Sequence, residues 1–229
     1  KINLKDLRIS GENNNDVWEK GWGEILDSIR HGFSPEKIMP QYFDHHKIMR
    51  LDGKFIKEIS DNFVYKYDQI IRKVVLKKYA SSKSKLVELG CGTGSGTLLA
   101  ALDLDENINI TASDWAISSL PILKEISKFT CRDINAVQFN MLDLNGWDSL
   151  SIDEDTTVIS FHALEQLGNN YKKLLSRLCK NKPLCVHLEP IYEYYNNENL
   201  FDTLAKNYHK KRNYLGKYLT DIKLLEKEG

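Results

Sequence analysis

Val87-Glu88-Leu89-Gly90-Cys91-Gly92-Thr93-Gly94-Ser95-Gly96 is an apolar run that ends in an acid and then strips its backbone of side chains. Lys85–Leu89 reads as a short strand, and Thr97-Leu98-Leu99-Ala100-Ala101 as the helix that follows the turn. In a doubly wound sheet such a turn sits at the carboxyl end of a strand, where ligands bind, and glycine lets the main chain approach one closely. The dinucleotide fingerprint G-x-G-x-x-G fails in both registers, because its third glycine falls on Ser95 or on Thr97. The phosphate loop G-x-x-x-x-G-K-[ST] is absent as well. Glu88, read at the rim of the turn, suits a cationic ligand better than the pyrophosphate that a helix N-terminus favours. A nucleoside-bearing cofactor is the natural occupant.

Working outward, the same texture repeats. Strands are predicted at Ile108–Ser113, Val137–Asn140, Thr156–Phe161 and Leu184–Leu188, and helices at Ile117–Phe129 and Tyr171–Leu178. Strands alternating with helices imply an α/β fold whose mainly parallel sheet is wound on both faces. From Trp18 to about Tyr79 the pattern turns helical, with Ile56, Ile59, Phe63 and Tyr67 three and four apart. This divides the chain into an N-terminal helical layer, 1–79, facing substrate, and a cofactor-binding core, 80–229. Residues 1–16 are polar and read as a loose arm. Glu198–Lys217 reads as one long Tyr- and Lys-rich helix.

Composition excludes several classes. The 229 residues carry 32 Lys+Arg against 32 Asp+Glu, so no global field draws the chain to nucleic acid or an anionic bilayer. The hydrophobic share of 41 % and charged share of 28 % are those of a packed globular domain. Four cysteines without a C-x-x-C pair, and no signal-like opening, point to a reducing, cytoplasmic compartment. No apolar run approaches the roughly 18–20 residues that span a bilayer. Opening on Lys1 and stopping at Gly229 straight after a helical pattern suggests a trimmed piece of a longer polypeptide.

Glu88-Leu89-Gly90-Cys91-Gly92-Thr93-Gly94 resembles the first motif, E/D-x-G-x-G-x-G, of class I methyltransferases dependent on S-adenosylmethionine, and the resemblance extends over roughly residues 80–192. It implies a Rossmann-like core that binds S-adenosylmethionine and releases S-adenosylhomocysteine. It further implies that Glu88, Gly90, Cys91, Gly92 and Gly94 wrap the amino-acid end of the cofactor, and that Asp114 holds its ribose. Trp115 would lie against the adenine, where an aromatic face adds about 1 kcal/mol. Asp143 would accept from the adenine amino group, with Leu142 and Phe161 completing the cofactor contacts. The bland readings are a helix N-cap for Asp114, an ordinary turn for Asp143 and a core residue for Trp115.

Methyl transfer to a hydroxyl needs alignment and a base. His162, just past the fourth strand, is the candidate, with Glu165 three residues on to orient it. Glu189 shares a strand face with His187 and reads otherwise as an exposed loop acid; either acid, Glu165 or Glu189, could be the base instead. The magnesium-binding E-x-x-E-H of some relatives reads here as His162, Glu165 and Gln166, so no metal is expected. The signature [DNS]-P-P-[YFW] of amino-methyltransferases is missing. Asp44-His45-His46 reads as structural or substrate-facing rather than as a metal cluster, since adjacent histidines point apart. Tyr42, Tyr65 and Tyr67 are candidates for a substrate lid or for the core, and Lys206–Lys217 reads as a solvated, basic helix face, although it mixes basic and aromatic residues as nucleic-acid surfaces do. The expected partner is a small hydroxylated methyl acceptor such as a sugar or nucleotide-sugar. The alternatives are RNA or protein methylation, or a non-catalytic S-adenosylmethionine-binding module. Class I sheets usually end in two further strands, and none is readable beyond Leu188. An exposed edge on the fifth strand is therefore expected, open to a second copy or to the rest of a longer chain.

Overall fold

The computed structural model describes residues 8–11, 14–43, 48–51, 54–57 and 62–228. The chain opens with helix α1 (Asn15–Ile29), two short 3-10 turns and a hairpin of β1 (Ile48–Leu51) and β2 (Lys54–Lys57). Helix α2 (Phe63–Tyr79) leads into β3 (Lys85–Leu89), α3 (Ser95–Asp103), β4 (Asn109–Asp114), α4 (Ser119–Thr130) and β5 (Ile134–Gln138). Then come β6 (Thr156–Phe161), α5 (Lys172–Asn181), β7 (Leu184–Leu188), α6 (Leu200–Arg212) and α7 (Tyr218–Glu228).

β3 to β7 form one parallel sheet in the order β5-β4-β3-β6-β7. The chain steps outward from β3 to β5, then returns to β6 on the other side of β3. That reversal makes the carboxyl ends of β3 and β6 the topological switch point, where open α/β sheets bind ligands.

Side-chain alternation explains why both faces are covered. Leu86, Ile110, Ala112, Ile134 and Ile159 pack with Trp22 and Ile25 of α1, Leu76 of α2 and Ile122 and Ile126 of α4. Val87, Leu89, Val137 and Val158 point the other way, onto Leu174 and Leu178 of α5 and onto Leu215 and Tyr218. Each fully buried aliphatic side chain contributes roughly 1.5–3 kcal/mol.

Several expectations are corrected. The stretch 18–79 is not wholly helical: Ile56 lies in β2, and α2 starts only after Asn62, whose φ of 60° breaks any helix entering from before it. Ile59 lies outside the described residues. The third predicted strand runs Ile134–Gln138, which moves Phe139 and Asn140 into the loop at its carboxyl end. The long C-terminal helix is two helices, because Asn213 takes φ 55° and bonds back to His209 and Lys210 in a left-handed cap. The arm is not loose where it is described. The Ser10 N–H donates to the Arg212 carbonyl at 2.7 Å, and Asn213 Nδ2 donates to the Ser10 carbonyl at 3.1 Å. Beyond β6, β7 pairs with no further strand among the described residues.

Candidate functional site

The switch point opens into a cavity of about 690 Å³, within the roughly 300–1,000 Å³ of small-molecule sites. Gly90, Cys91 and Gly92 form one wall, Asp114 and Trp115 after β4 the next, and Phe161, His162 and Glu165 the third. Seen from the sequence, these eight residues are brought together. The other predicted site residues lie elsewhere.

Glu88 is not at the rim. It is 2 % exposed beneath the turn, where Oε2 accepts from Thr97 Oγ1 at 2.5 Å and Oε1 lies 3.9 Å from Arg72 Nη1. Burial pushes its carboxyl up, against the pull of Arg72. Gly94 caps α3 and faces Leu123 and Ile126 of α4 rather than the cavity. Asp143 is exposed, and its Oδ1 accepts from the Asn145 N–H at 2.9 Å in a side-chain-closed turn. Leu142 packs into the core on the far face of the sheet. The polar residue after β5 that does border the cavity is Asn140, whose Oδ1 accepts from the Leu142 N–H.

Asp114 is 6 % exposed at the end of β4. Its Oδ2 accepts from the Gly92 N–H at 2.8 Å and its Oδ1 from the Ala116 N–H at 2.9 Å. Burial raises its pKa to about 6 despite those bonds. An ionised carboxylate has about four lone-pair sites, so each oxygen can still accept from a ligand hydroxyl.

His162 leaves β6 with φ 56°, a left-handed conformation rare for a residue with a side chain. Its N–H donates to the Leu188 carbonyl at 3.0 Å, and its ring Nδ1 stands 3.8 Å from Glu165 Oε2. The Glu165 carboxylate holds the imidazole pKa above its ordinary value. The side chain itself is 58 % exposed, towards the cavity.

Glu189 does not line the cavity, and it is no exposed loop acid either. Oε1 accepts from Ser160 Oγ at 2.7 Å and from the Ala163 and Leu164 N–H groups at 3.1 Å, while Oε2 accepts from the Glu165 N–H at 3.1 Å. Burial and the neighbouring Glu165 push its carboxyl up to about 7. Ser160 also meets His187 Nδ1 at 2.9 Å, so His187 and Glu189 do share a face. Glu189 braces the turn that presents His162, and pattern reading had no signal for that long-range role.

The N-terminal elements close the cavity. Tyr42 and Tyr67 line it, whereas Tyr65 packs on Phe43. Trp18 and Trp22 stack at 5.2 Å between ring centroids, and a methyl group at Gly92 would fall 3.0 Å from Trp22 Cζ2. Glu19 ties α1 to the Ser118 N–H at the start of α4. From the C-terminal side, Tyr208, Arg212 and Tyr214 turn inward onto the cavity, leaving Lys210 and Lys211 exposed. Asp44, His45 and His46 lie outside the described residues, and among the described ones no cluster of three or more His, Cys, Asp or Glu side chains could hold a metal ion. No described helix is long and apolar enough to cross a membrane.

No protein-family model matches the sequence. No curated protein matches it either. Solved structures do resemble it. The 4+2 cyclase SpnF is 15 % identical with a TM-score of 0.46, over 72 % of this chain and 54 % of that one. The CurJ carbon methyltransferase is 16 % identical with a TM-score of 0.45, over 77 % and 48 %. Coclaurine N-methyltransferase bound to N-methylheliamine and SAH is 15 % identical with a TM-score of 0.45, over 87 % and 55 %. The matched part of each is about half of its length. By its own strand order, with a cavity at the reversal, the chain is a doubly wound α/β protein of the Rossmann-like kind.

Proposed function

We propose that the chain is an S-adenosylmethionine-dependent methyltransferase that methylates an oxygen of a small hydroxylated acceptor. One observation carries this reading: the bared turn 90–92, the buried acid Asp114 and the His162–Glu165 pair border one cavity. The wall fits such a ligand. Its backbone is open at Gly90–Gly92, and Asp114 keeps lone pairs free for two hydroxyls. Trp115 and Asn140 offer a flat face and an amide beside it. Cys91 is inert there, because burial drives its thiol pKa far up.

When bound, S-adenosylmethionine supplies an electrophilic sulfonium methyl group. The remaining work belongs to the chain. With Nδ1 turned to Glu165, the Nε2 atom of His162 is left to take the acceptor's hydroxyl proton, and the Glu165 carboxylate stabilises the imidazolium that results. Glu189 and Ser160 hold the turn in place. Trp18, Trp22 and Tyr42 line the cavity from the N-terminal side.

Calorimetric titration of S-adenosylmethionine into the wild-type chain and into Asp114→Ala tests the reading. Micromolar binding by the wild type, weakened by about 2 kcal/mol in the variant as charge-assisted hydrogen bonds are lost, is the expected outcome. A folded wild type that binds neither S-adenosylmethionine nor S-adenosylhomocysteine would overturn it.

A further inference from the structure

Among the described residues three arginines, Arg8, Arg72 and Arg212, reach the cavity, and of these Arg72 alone is paired with carboxylates. Arg72 Nε bonds Asp68 Oδ2 at 2.7 Å, its Nη1 faces Glu88, and its guanidinium lies 4.4 Å over the Phe161 ring. It is a paired, structural cation. Arg8 and Arg212 have no carboxylate within ion-pair distance among the described residues. The Nε atoms of both are buried without a hydrogen-bond partner. Arg212 is only 8 % exposed.

Burying guanidinium donors unpaired is costly, and placing two cations near each other adds to the cost. Burial, and after it the nearby Arg212 cation, lowers the pKa of Arg8. The fold nevertheless enforces the arrangement. The Ser10 N–H bonds the Arg212 carbonyl, Asn213 Nδ2 bonds the Ser10 carbonyl, and Ser10 Oγ reaches Gln166 Oε1 at 3.3 Å. The rings are held too. The Arg8 guanidinium lies 4.2 Å over Trp18, and that of Arg212 lies 5.0 Å from the Tyr214 ring centroid and 5.9 Å from that of Tyr208. These ring contacts hold each guanidinium in place without using its N–H donors, and a guanidinium fork matches a carboxylate or phosphate oxyanion.

The pair belongs to the acceptor end. Arg8 is within electrostatic reach of Glu165, Tyr208 and Tyr214, and Glu165 is the partner of His162. We infer that Arg8 and Arg212 form an oxyanion clamp, and that the methyl acceptor is a hydroxylated molecule bearing a carboxylate or a phosphate. The acceptor assignment rests on the methyl-transfer reading, whereas the clamp itself rests on the two arginines. The clamp orders the acceptor by its anionic end, so that its hydroxyl is presented to His162.

The test is calorimetric titration of the full chain, with S-adenosylhomocysteine added first, using benzoate, phenyl phosphate and neutral benzyl alcohol as probes. The wild type is expected to bind at least one anion tenfold or more tighter than benzyl alcohol, and the favoured anion identifies carboxylate or phosphate as the group. Arg8→Gln and Arg212→Gln should each erase that preference while S-adenosylhomocysteine affinity changes less than twofold. If Arg212→Gln does not fold, the half-buried Arg8→Gln reads the clamp alone. No anion preference in the wild type would overturn the clamp. Variants that lose S-adenosylhomocysteine instead of the anion would also overturn it, by assigning the arginines to the cofactor. A wild type that binds anions but no S-adenosylhomocysteine would overturn the methyl-transfer reading alone and leave the clamp standing.

Discussion

Residues 90–94 and residues 161–167 leave neighbouring strands of one sheet and touch at the switch point, yet they are shaped in opposite ways. The first turn is defined by what it lacks. Gly90 has φ 67°, and a Cβ there would stand 2.5 Å from the Ala163 Cβ. The second carries full side chains, tolerates His162 in a left-handed conformation, and is held by Glu189, a carboxylate from the end of another strand. A ligand surface can thus be made by deletion or by bracing, and the two respond differently to substitution.

The largest effect is expected at the braced turn's working end. His162→Gln should lower turnover by about 10²–10⁴-fold, the usual contribution of a positioned base, with S-adenosylhomocysteine affinity unchanged. A base works in its neutral form, so turnover should rise with pH through the folded pKa of His162, above 6.5. Glu165→Gln removes the charge that raises it and should move that limb to lower pH. A pH–rate profile checks both, and equal loss of binding and turnover would break the division of labour between the turns.

Next comes the contact between them. Gly90→Ala combines a left-handed backbone with a clash and should destabilise the fold by about 3 kcal/mol in a denaturant titration. The double variant with Ala163→Gly should relieve the clash but not the backbone strain, recovering about half of the loss. Full recovery would mean that the turn is set by its neighbour rather than by its own backbone.

Glu189→Gln should cost about 2 kcal/mol, since an amide nitrogen cannot accept from the Glu165 N–H that Oε2 now serves. Turnover should fall with stability while cofactor affinity holds. The smallest effect concerns pH. Asp114, with its pKa at about 6, must be ionised to accept two hydroxyls, so cofactor affinity should hold above about pH 7. It should fall by at most tenfold per unit below about pH 6, and an Asp114→Asn variant titrated by calorimetry should lose that slope.

What could be read from the sequence follows the same contrast. Glycine spacing and strand periodicity are local, and they led to β3, β6, β7 and the turn at 90–92, while the resemblance, followed along the strand ends, pointed to Asp114 and His162. Bracing is non-local. Nothing near Glu189 says that its carboxylate will collect three backbone N–H groups 24–26 residues away. The same holds in part for Glu88, whose carboxylate beneath the turn faces Arg72 of α2 as well as the nearer Thr97. Asp143 went the other way: its own turn took the side chain, and Asn140 two residues after β5 borders the cavity. Lys206–Lys217 looked like a solvent-facing basic stripe because a periodicity argument cannot see that Asn213 ends the helix and swings Tyr214 inward.

The stitch between Ser10 and Asn213 spans 203 positions of sequence, which gives the two ends of the cavity different histories. The glycine turn and its neighbours close over short stretches of chain and can form while synthesis continues. The end walled by Arg8 and Arg212 requires the first described residues to meet α6 and the residues just after it, made much later in the chain. Closing so long a loop adds little to the final stability ledger, since the entropy grows only with the logarithm of length, but it comes late. A growing chain would therefore form the wall at residues 90–115 well before Arg212 and Tyr214 could meet Arg8 and close the cavity's other end.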